Sequence, residues 1–139
     1  MIYNIHHLHC GSFCPVCAPL FGQKGWKAHL VCHCLFIETD RGLVLIDTGL
    51  RLQDYLHTEQ RLGSLLKQFG SIVPNLKLTA IQQIQRLGFN PSDVKHIFVT
   101  HLDFDHAGGI SDFPNATVNL LAAEFNATQS LTTKGKLRY

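Results

Sequence analysis

The sequence predicts a mixed α/β fold, and three observations lead to this prediction. Several short apolar runs rich in β-branched residues are bounded by glycine, proline, asparagine or aspartate, which is typical of strands. One segment between them has apolar residues three positions apart, which indicates a helix. The length of 139 residues is that of one ordinary domain, so we expect residues 1–139 to form a single unit.

The first elements are predicted to be a strand, a loop and a hairpin. The segment NIHHLHC is expected to be a strand, whereas glycine and proline are too closely spaced between Cys10 and Ala28 for any regular element. Two apolar runs follow, from Leu30 to Glu38 and from Leu43 to Asp47. The segment TDRG between them is a turn signal, which predicts an antiparallel pair of strands.

The rest of the chain adds helices and further strands. Residues 51–70 have mixed periodicity, which leaves one helix, two short helices or an insertion open. The segment LTAIQQIQRLGF is predicted to be a helix with Thr79 as its N-cap and Gly88 as its C-terminal stop. VKHIFVTH and ATVNLLA predict two strands, and AAEFNATQ predicts a final helix. This order of elements is that of a mixed α/β domain.

Composition and charge narrow the class of partner. Hydrophobic residues make up 45% of the chain and charged residues 16%, which are the values of a globular protein. The formal net charge of +2 lacks the basic surplus that nucleic acid requires. No apolar run reaches about 20 residues, and the N-terminal sequence lacks the pattern of a signal peptide, so neither a membrane span nor secretion is expected. A small-molecule substrate is the expected partner.

The cysteines favour a reducing compartment. They are odd in number and lie in the first quarter of the chain, which is a poor disulfide framework and suggests the cytoplasm. Their spacing, with CHC further on, makes a structural zinc site one interpretation. Alternation along VCHCLF instead places Cys32 and Cys34 together as small buried side chains, with His33 on the other face. We favour thiols over a zinc site for the five residues Cys10, Cys14, Cys17, Cys32 and Cys34.

The segment THLDFDHAGG carries the densest set of metal-ligating side chains. His101, Asp103 and Asp105 alternate and can face one side, while His106 reaches the same point, so four ligands could serve two adjacent ions. Two ions that bridge a water lower its pKa, which predicts metal-assisted hydrolysis. The small residues AGG would let the backbone pass close to such a cluster. The alternative is that the aspartates cap a helix that begins near Ala107 and that the histidines are ordinary loop residues.

THLDFDHAGG resembles the metal-binding signature H-x-H-x-D-H of the metallo-β-lactamase superfamily. LVLIDTG and DVKHIFVTH are also similar to that family, and the resemblance extends from YNIHHLHCG to FPNATVNLLAAEF. It is nearest to the stand-alone hydrolases that include the acyl-homoserine lactonases. The resemblance implies an αββα sandwich with a mostly antiparallel or mixed sheet and flanking helices, of which residues 1–139 would be the first half and an incomplete domain.

The resemblance also implies roles for individual residues. His101 would bind a first metal ion, and Asp105 with His106 would bind a second, with Asp105 also the catalytic residue. Asp47 in IDTG would lie behind the cluster and orient its ligands by hydrogen bonding. Asp103 stands where the pattern has a second histidine. As a harder, anionic ligand it moves the preference from two zinc ions toward iron or manganese, and a position behind the ligands is its alternative.

The implied function is hydrolysis of an ester, lactone, thioester or related bond by a metal-bound hydroxide. The family pattern has further histidine and aspartate ligands, whereas the tail LTTKGKLRY contains no His, Asp or Glu. We therefore expect the N-terminal part of a longer hydrolase, with the activity of the 139-residue chain itself left open. The alternatives are a catalytically inactive interaction module with weak or no metal binding and, from the carboxylate at Asp103 alone, a redox diiron protein. An exposed apolar sheet face would permit self-association.

Overall fold

A computed structural model describes residues 1–57, 72 and 75–129 of the chain. Five strands form one sheet in the order β1-β2-β3-β4-β5. Their bounds are Ile2–Phe13 for β1, Leu30–Thr39 for β2, Gly42–Ile46 for β3, Val94–Val99 for β4 and Thr117–Leu120 for β5.

The sheet is mixed, as expected. β1 pairs with β2 and β2 with β3 in antiparallel register, through the long segment 14–29 in the first case and a tight turn in the second. The TDRG hairpin is confirmed, with Thr39 opposite Gly42. β3, β4 and β5 are parallel, since longer crossover segments separate them. The carboxyl ends of β3 and β4 therefore lie side by side at one edge of the sheet.

The described helices are short. They are α1 at Leu52–Leu56, α2 at Ala80–Arg86, α3 at Phe104–Ala107 and α4 at Ala122–Gln129. The three alternatives for residues 51–70 stay open, because residues 58–71 lie outside the described residues.

α2 is the helix that the spacing of LTAIQQIQRLGF predicts. Thr79 occupies the N-cap position, but its side chain makes no cap bond and its hydroxyl donates instead to the Leu76 carbonyl at 3.0 Å. Gly88 follows the last turn with φ +90°, the conformation of a C-terminal glycine.

β1 continues further than the sequence predicts. It runs to Phe13, into the segment expected to be irregular, and remains paired with β2 through Ser12 and Val31. A bulge between His9 and Ser12 makes this possible, and Gly11 within it has φ +134°. The glycine that indicated a loop is thus the residue that allows the strand to bend.

The two faces of the sheet differ in burial. The inner face contains the fully buried Phe36, Leu45 and Ile97, and it packs against α2, whose Ile84 is also fully buried. The outer face carries apolar side chains that are partly or largely exposed, namely Ile5, Val31, Leu35, Ile37, Val44, Ile46 and Phe98. In the described part of the chain, no helix has the length and apolarity of a membrane span.

Candidate metal centre

The residues of the motif converge where β3 and β4 end. Asp47 follows β3, and His101 follows β4 by two residues. The chain then enters α3, which carries Asp105 and His106. Because β3 and β4 are parallel neighbours, their carboxyl ends bring these two segments together.

Asp47 is the centre of a hydrogen-bond network. Its backbone is left-handed, with φ +56°, and its N–H donates to the Phe98 carbonyl at 2.9 Å. Its buried carboxylate accepts from the Thr100 N–H at 2.8 Å and from the Thr100 hydroxyl at 2.8 Å. It also lies 2.9 Å from Nδ1 of His106. A positive φ is uncommon for a residue other than glycine, and three hydrogen bonds to the carboxylate hold Asp47 in this conformation.

These bonds determine the tautomers of both histidines. The ionised Asp47 can only accept, so Nδ1 of His106 carries a proton and Nε2 is left as the atom that can bind a metal. The Thr100 hydroxyl gives its one proton to Asp47, so toward Nδ1 of His101, 3.0 Å away, its oxygen must accept. A neutral His101 therefore also presents Nε2.

The network shifts the pKa values of the Asp47–His106 pair. Burial alone would raise the pKa of Asp47, but the hydrogen bonds from His106 and Thr100 outweigh it and hold that pKa below its usual value. The hydrogen bond to Asp47 raises the pKa of His106. Burial opposes this rise, and the nearby charges of Asp105, Asp47 and Asp103 reinforce it.

Three donors form a group that fits a divalent ion. One donor atom from each of His101, Asp105 and His106 lies within 4.8 Å of the others. Ligand atoms of one ion with bonds of 2.0–2.2 Å lie at most about 4.4 Å apart, so small side-chain movements would close this group. Imidazole nitrogen and carboxylate oxygen suit zinc, iron and manganese. The residues present therefore fit the metal that the motif predicts.

Asp103 lies beside this group and not within it. Its Oδ2 is 3.5 Å from Nε2 of His101, just as Oδ2 of Asp105 is 3.4 Å from Nε2 of His106. The helix-cap alternative is met in part, since Asp105 lies in the first turn of α3. The helix begins at Phe104, and Asp103 occupies the N-cap position without a side-chain cap bond. Its carbonyl instead accepts from the N–H groups of His106 and Ala107, both at 2.9 Å.

The glycines of the motif pack against the loop after β3. The Gly109 N–H donates to the Gly49 carbonyl at 2.9 Å, and a Cβ at Gly109 would lie 2.8 Å from the Thr48 carbonyl oxygen. Thr48 also donates to the His106 carbonyl, through its N–H at 2.7 Å and its hydroxyl at 2.9 Å. The close approach predicted for AGG is thus made to backbone, and it holds α3 against the Asp47 loop.

Two threonines of the site escaped the sequence reasoning. Thr100 orients both His101 and Asp47, and Thr48 anchors the carbonyl of His106. Each lies next to a predicted site residue, in VTH and DTG. Their position directly beside a predicted site residue could have identified them, because an adjacent hydroxyl is well placed to form a hydrogen bond in the site.

The cysteines do not form a comparable group. Cys10, Cys32 and Cys34 are buried, Cys14 is half-buried and Cys17 is exposed. Alternation along β2 buries Cys32 and Cys34 and exposes His33, as expected. In the described part of the chain, the group of three or more candidate ligands contains histidine and aspartate and no cysteine.

Known proteins include relatives of this chain. Residues 29–136 match the family model of the metallo-beta-lactamase superfamily. A protein of Mycobacterium tuberculosis named as a probable metallo-hydrolase is 40% identical over 137 residues, which are 98% of this chain and 40% of that protein. An N-acyl homoserine lactonase of Bacillus cereus is 35% identical over 100 residues, which are 69% of this chain and 38% of the lactonase.

A solved structure confirms the fold class. It is that of an N-acyl homoserine lactone hydrolase with the product N-hexanoyl-L-homoserine bound at its catalytic metal centre. It superposes with a TM-score of 0.73 at 24% sequence identity and covers 94% of this chain and 53% of that one. The present chain thus spans about half the length of that structure and 40% of the mycobacterial relative.

Proposed function

This chain belongs to the metallo-β-lactamase superfamily, and we propose that it carries ligands of the metal centre of a metal-dependent hydrolase. His101, Asp105 and His106 would bind the metal, with Asp103 beside His101 as a further ligand. Asp47 would orient His106 and, through Thr100, His101. The domain would comprise residues 1–139 together with whatever else the whole protein contributes.

The Asp47–His106 hydrogen bond of 2.9 Å is the observation that carries this proposal. A buried carboxylate that fixes Nδ1 of an imidazole leaves Nε2 as a ligand, which is the usual arrangement behind metal-bound histidines. At each of the two histidines, Nε2 also lies close to the carboxylate oxygen of a nearby aspartate, at 3.5 Å for His101 and at 3.4 Å for His106. His101 with Asp103 and His106 with Asp105 would then face two ions.

The reaction follows from this arrangement. A bound divalent ion would polarise a carbonyl oxygen and bring the pKa of its water close to neutral. Asp105 would accept a proton from the attacking water at its carboxylate and return it to the leaving group, at oxygen for an ester or lactone and at sulfur for a thioester. The bond would be an ester, lactone, thioester or related bond. Lactones come first for testing, because relatives are named N-acyl homoserine lactonases.

Metal identity and cellular context are part of the proposal. Zinc is the expected metal, and the carboxylate at Asp103 makes iron and manganese the alternatives. Five cysteines that form no disulfide among the described residues favour the reducing cytoplasm. The exposed apolar side chains of the outer face would support self-association of this chain.

Metal content followed by hydrolysis tests the proposal. The 139-residue chain would be loaded with zinc, dialysed and analysed for metal, and then assayed on a panel of lactones, esters and thioesters. We expect at least one ion per chain, lost in His106→Asn and retained in His29→Asn, a control at an exposed histidine far along the sequence. Metal content in the wild-type chain no higher than in His106→Asn would refute the proposal for this polypeptide.

A binding module without turnover is the second candidate. The observation that favours it is the number of ligands. The described residues bring three ligand atoms into one group, whereas a site that holds two ions with a bridging water needs more than three ligands. Zinc bound by the wild-type chain, with no hydrolysis of any substrate in the panel above the His106→Asn background, would support this candidate.

A further inference from the structure

Two carboxylates hold the backbone of the segment that joins β4 to α3. Residues 100–103 follow the end of β4 at Val99 and precede the start of α3 at Phe104, so they belong to neither element. Backbone N–H groups in such a segment need partners other than a strand ladder or a helix, because an unpaired N–H away from water is costly. Two of these N–H groups donate to acidic side chains.

Asp47 and Glu124 are the two acceptors. Asp47 follows β3 and accepts from the Thr100 N–H at 2.8 Å. Glu124 lies in the first turn of α4, the helix after β5, and its Oε1 accepts from the Leu102 N–H at 3.0 Å. β4 lies between β3 and β5 in the sheet. The segments that follow its two neighbours thus each supply one carboxylate to the backbone of the motif.

The hydrogen bond to Glu124 bears on two candidate ligands. Leu102 stands between His101 and Asp103, whose Nε2 and Oδ2 atoms are 3.5 Å apart. The Leu102 side chain packs against the apolar core, so a fixed N–H leaves this residue little freedom to rotate. Because alternate residues of an extended segment project to the same side, a fixed Leu102 keeps the side chains of His101 and Asp103 together.

We propose that Glu124 is a positioning residue of the candidate metal centre and that it acts on His101 and Asp103 through the Leu102 N–H. This inference rests on the proposed function, since it concerns the metal that His101 would bind. Glu124 would not contact the ion. It would restrict the segment to few conformations before the metal binds, so that less conformational entropy is lost on binding.

A purely local role for Glu124 is the alternative to be separated. A carboxylate in the first turn of a helix favours that helix through its charge, and α4 would gain from it without any effect on a metal. Glu124→Ala removes both the charge and the acceptor. Glu124→Gln removes the charge but keeps a side-chain oxygen that can accept from the Leu102 N–H. Glu124→Asp keeps the charge but shortens the reach toward Leu102.

Zinc titration of the chain in a calorimeter gives the first readout. Glu124→Ala should weaken zinc binding about tenfold, as expected for loss of a residue that orients ligands. Glu124→Asp should weaken it in the same direction, which keeps the test decisive if the alanine variant does not fold. Glu124→Gln should bind zinc as tightly as the wild-type chain. Asn126→Ala, at an exposed position of the same helix, is the matched control and should leave the affinity unchanged.

Amide hydrogen exchange of the metal-free chain gives the second readout. Exchange of the Leu102 amide should be about tenfold or more faster in Glu124→Ala than in the wild-type chain, because its hydrogen bond to a charged acceptor is lost. Amides of the β2–β3 hairpin should keep their protection, which would establish that the variant is folded. Unchanged exchange at Leu102 would contradict the inference.

The zinc titrations distinguish failure of this inference from failure of the proposed function. The inference alone is wrong if the wild-type chain binds zinc and Glu124→Ala and Glu124→Asp bind it as tightly. It is also wrong if Glu124→Gln loses as much affinity as Glu124→Ala, since the charge on α4 would then be responsible. A wild-type chain that binds no zinc would refute the proposed function, and this inference with it.

Discussion

At the scale of single residues, Asp47 is the side chain on which the site depends. It is buried, and it reaches His106 directly and His101 through Thr100. Its left-handed backbone aims the carboxylate at both segments. The carboxylate accepts three hydrogen bonds, whereas the NH₂ group of an amide in this position would face one of the same three donors, because it can only donate.

Asp47→Asn should therefore weaken zinc binding by about 10- to 100-fold. We expect the free energy of unfolding of the metal-free chain to fall by about 1–3 kcal/mol, since charged hydrogen bonds to a buried group are lost. Zinc titration and urea unfolding measure the two effects. Asp93→Asn, at an exposed aspartate in the turn before β4, is the control and should change neither. Equal zinc affinity in Asp47→Asn and the wild-type chain would contradict the role of Asp47.

The same pair predicts how the stability of the metal-free chain depends on pH. The pKa of His106 is raised, so its contribution is complete below its ordinary value of 6.5 and is lost as pH rises through the raised value. The pKa of Asp47 is lowered, so its contribution is complete above its ordinary value of 3.8 and is lost as pH falls through the lowered value. The Asp47–His106 pair should therefore contribute most to the stability of the folded chain between pH 3.8 and pH 6.5.

Urea unfolding of the metal-free chain across this range checks the prediction. The difference in free energy of unfolding between the wild-type chain and Asp47→Asn should be largest near pH 5 and smaller at both ends. A difference that does not change with pH would show that the pair is not ionised in the folded chain.

At the scale of elements, Gly49 joins the end of β3 to the bulge of β1. It has φ +65°, and a Cβ there would lie 2.3 Å from Cβ of Cys10 and 2.5 Å from its carbonyl oxygen. Gly22 has almost the same backbone, with φ +68°, but nothing lies within 4 Å of its Cβ position. An alanine at Gly22 would therefore introduce backbone strain alone, whereas an alanine at Gly49 would introduce the same strain together with steric overlap.

We expect Gly22→Ala to lower the free energy of unfolding by about 1–2 kcal/mol, the cost of a left-handed alanine. Gly49→Ala should lower it by a further 1–3 kcal/mol, roughly, because the β1 backbone must also move. Chemical denaturation of the two variants gives the comparison. Equal losses would mean that the contact between Gly49 and β1 is looser than the structure indicates.

The alternation of β2 predicts two classes of thiol. Burial raises the pKa of Cys32 far above its ordinary range, and a hydrogen bond with Cys10 together with burial does the same for Cys34. Because the thiolate is the reactive form, Cys14 and Cys17 should react with a disulfide reagent in the folded chain, and the other three only after unfolding.

Thiol titration in the presence and absence of a chelator measures both points. Rates that do not change on addition of the chelator would agree with free thiols, whereas a chelator-dependent increase at Cys14 and Cys17 would indicate a zinc knuckle.

The sequence pattern predicted correctly those elements in which the local preference of the residues agrees with their packing in the fold. The TDRG hairpin and α2 follow from turn chemistry and spacing, and the structure contains both. The extension of β1 could not be predicted in this way, because pairing with β2 across a bulge overrides the preference of glycine for loops. In the site, residue types indicated His101, Asp105 and His106, but the part played by Thr100 depends on contacts across 53 residues of sequence.

At the scale of the whole molecule, the unequal faces of the sheet predict self-association. Phe98 is 48% exposed and Ile5 is 50% exposed on the outer face, although each lies within a paired strand. We expect the isolated chain to associate in a concentration-dependent way, and Phe98→Thr to weaken this by removing apolar area. Sedimentation velocity measures it, with Leu20→Thr in the exposed turn after β1 as control. A wild-type chain that remains monomeric at all concentrations would exclude this surface as an interface.

The parallel pairing of β3 and β4 has a kinetic meaning. Asp47 and His106 are 59 residues apart in sequence, and they meet only when the two strands have paired through their crossover. Closure of so long a segment is slow compared with formation of the β2–β3 hairpin. The metal site therefore cannot exist in a partly folded chain that has only its local structure. Zinc uptake during refolding would report the moment at which the crossover closes, and zinc would hold it closed thereafter by mass action.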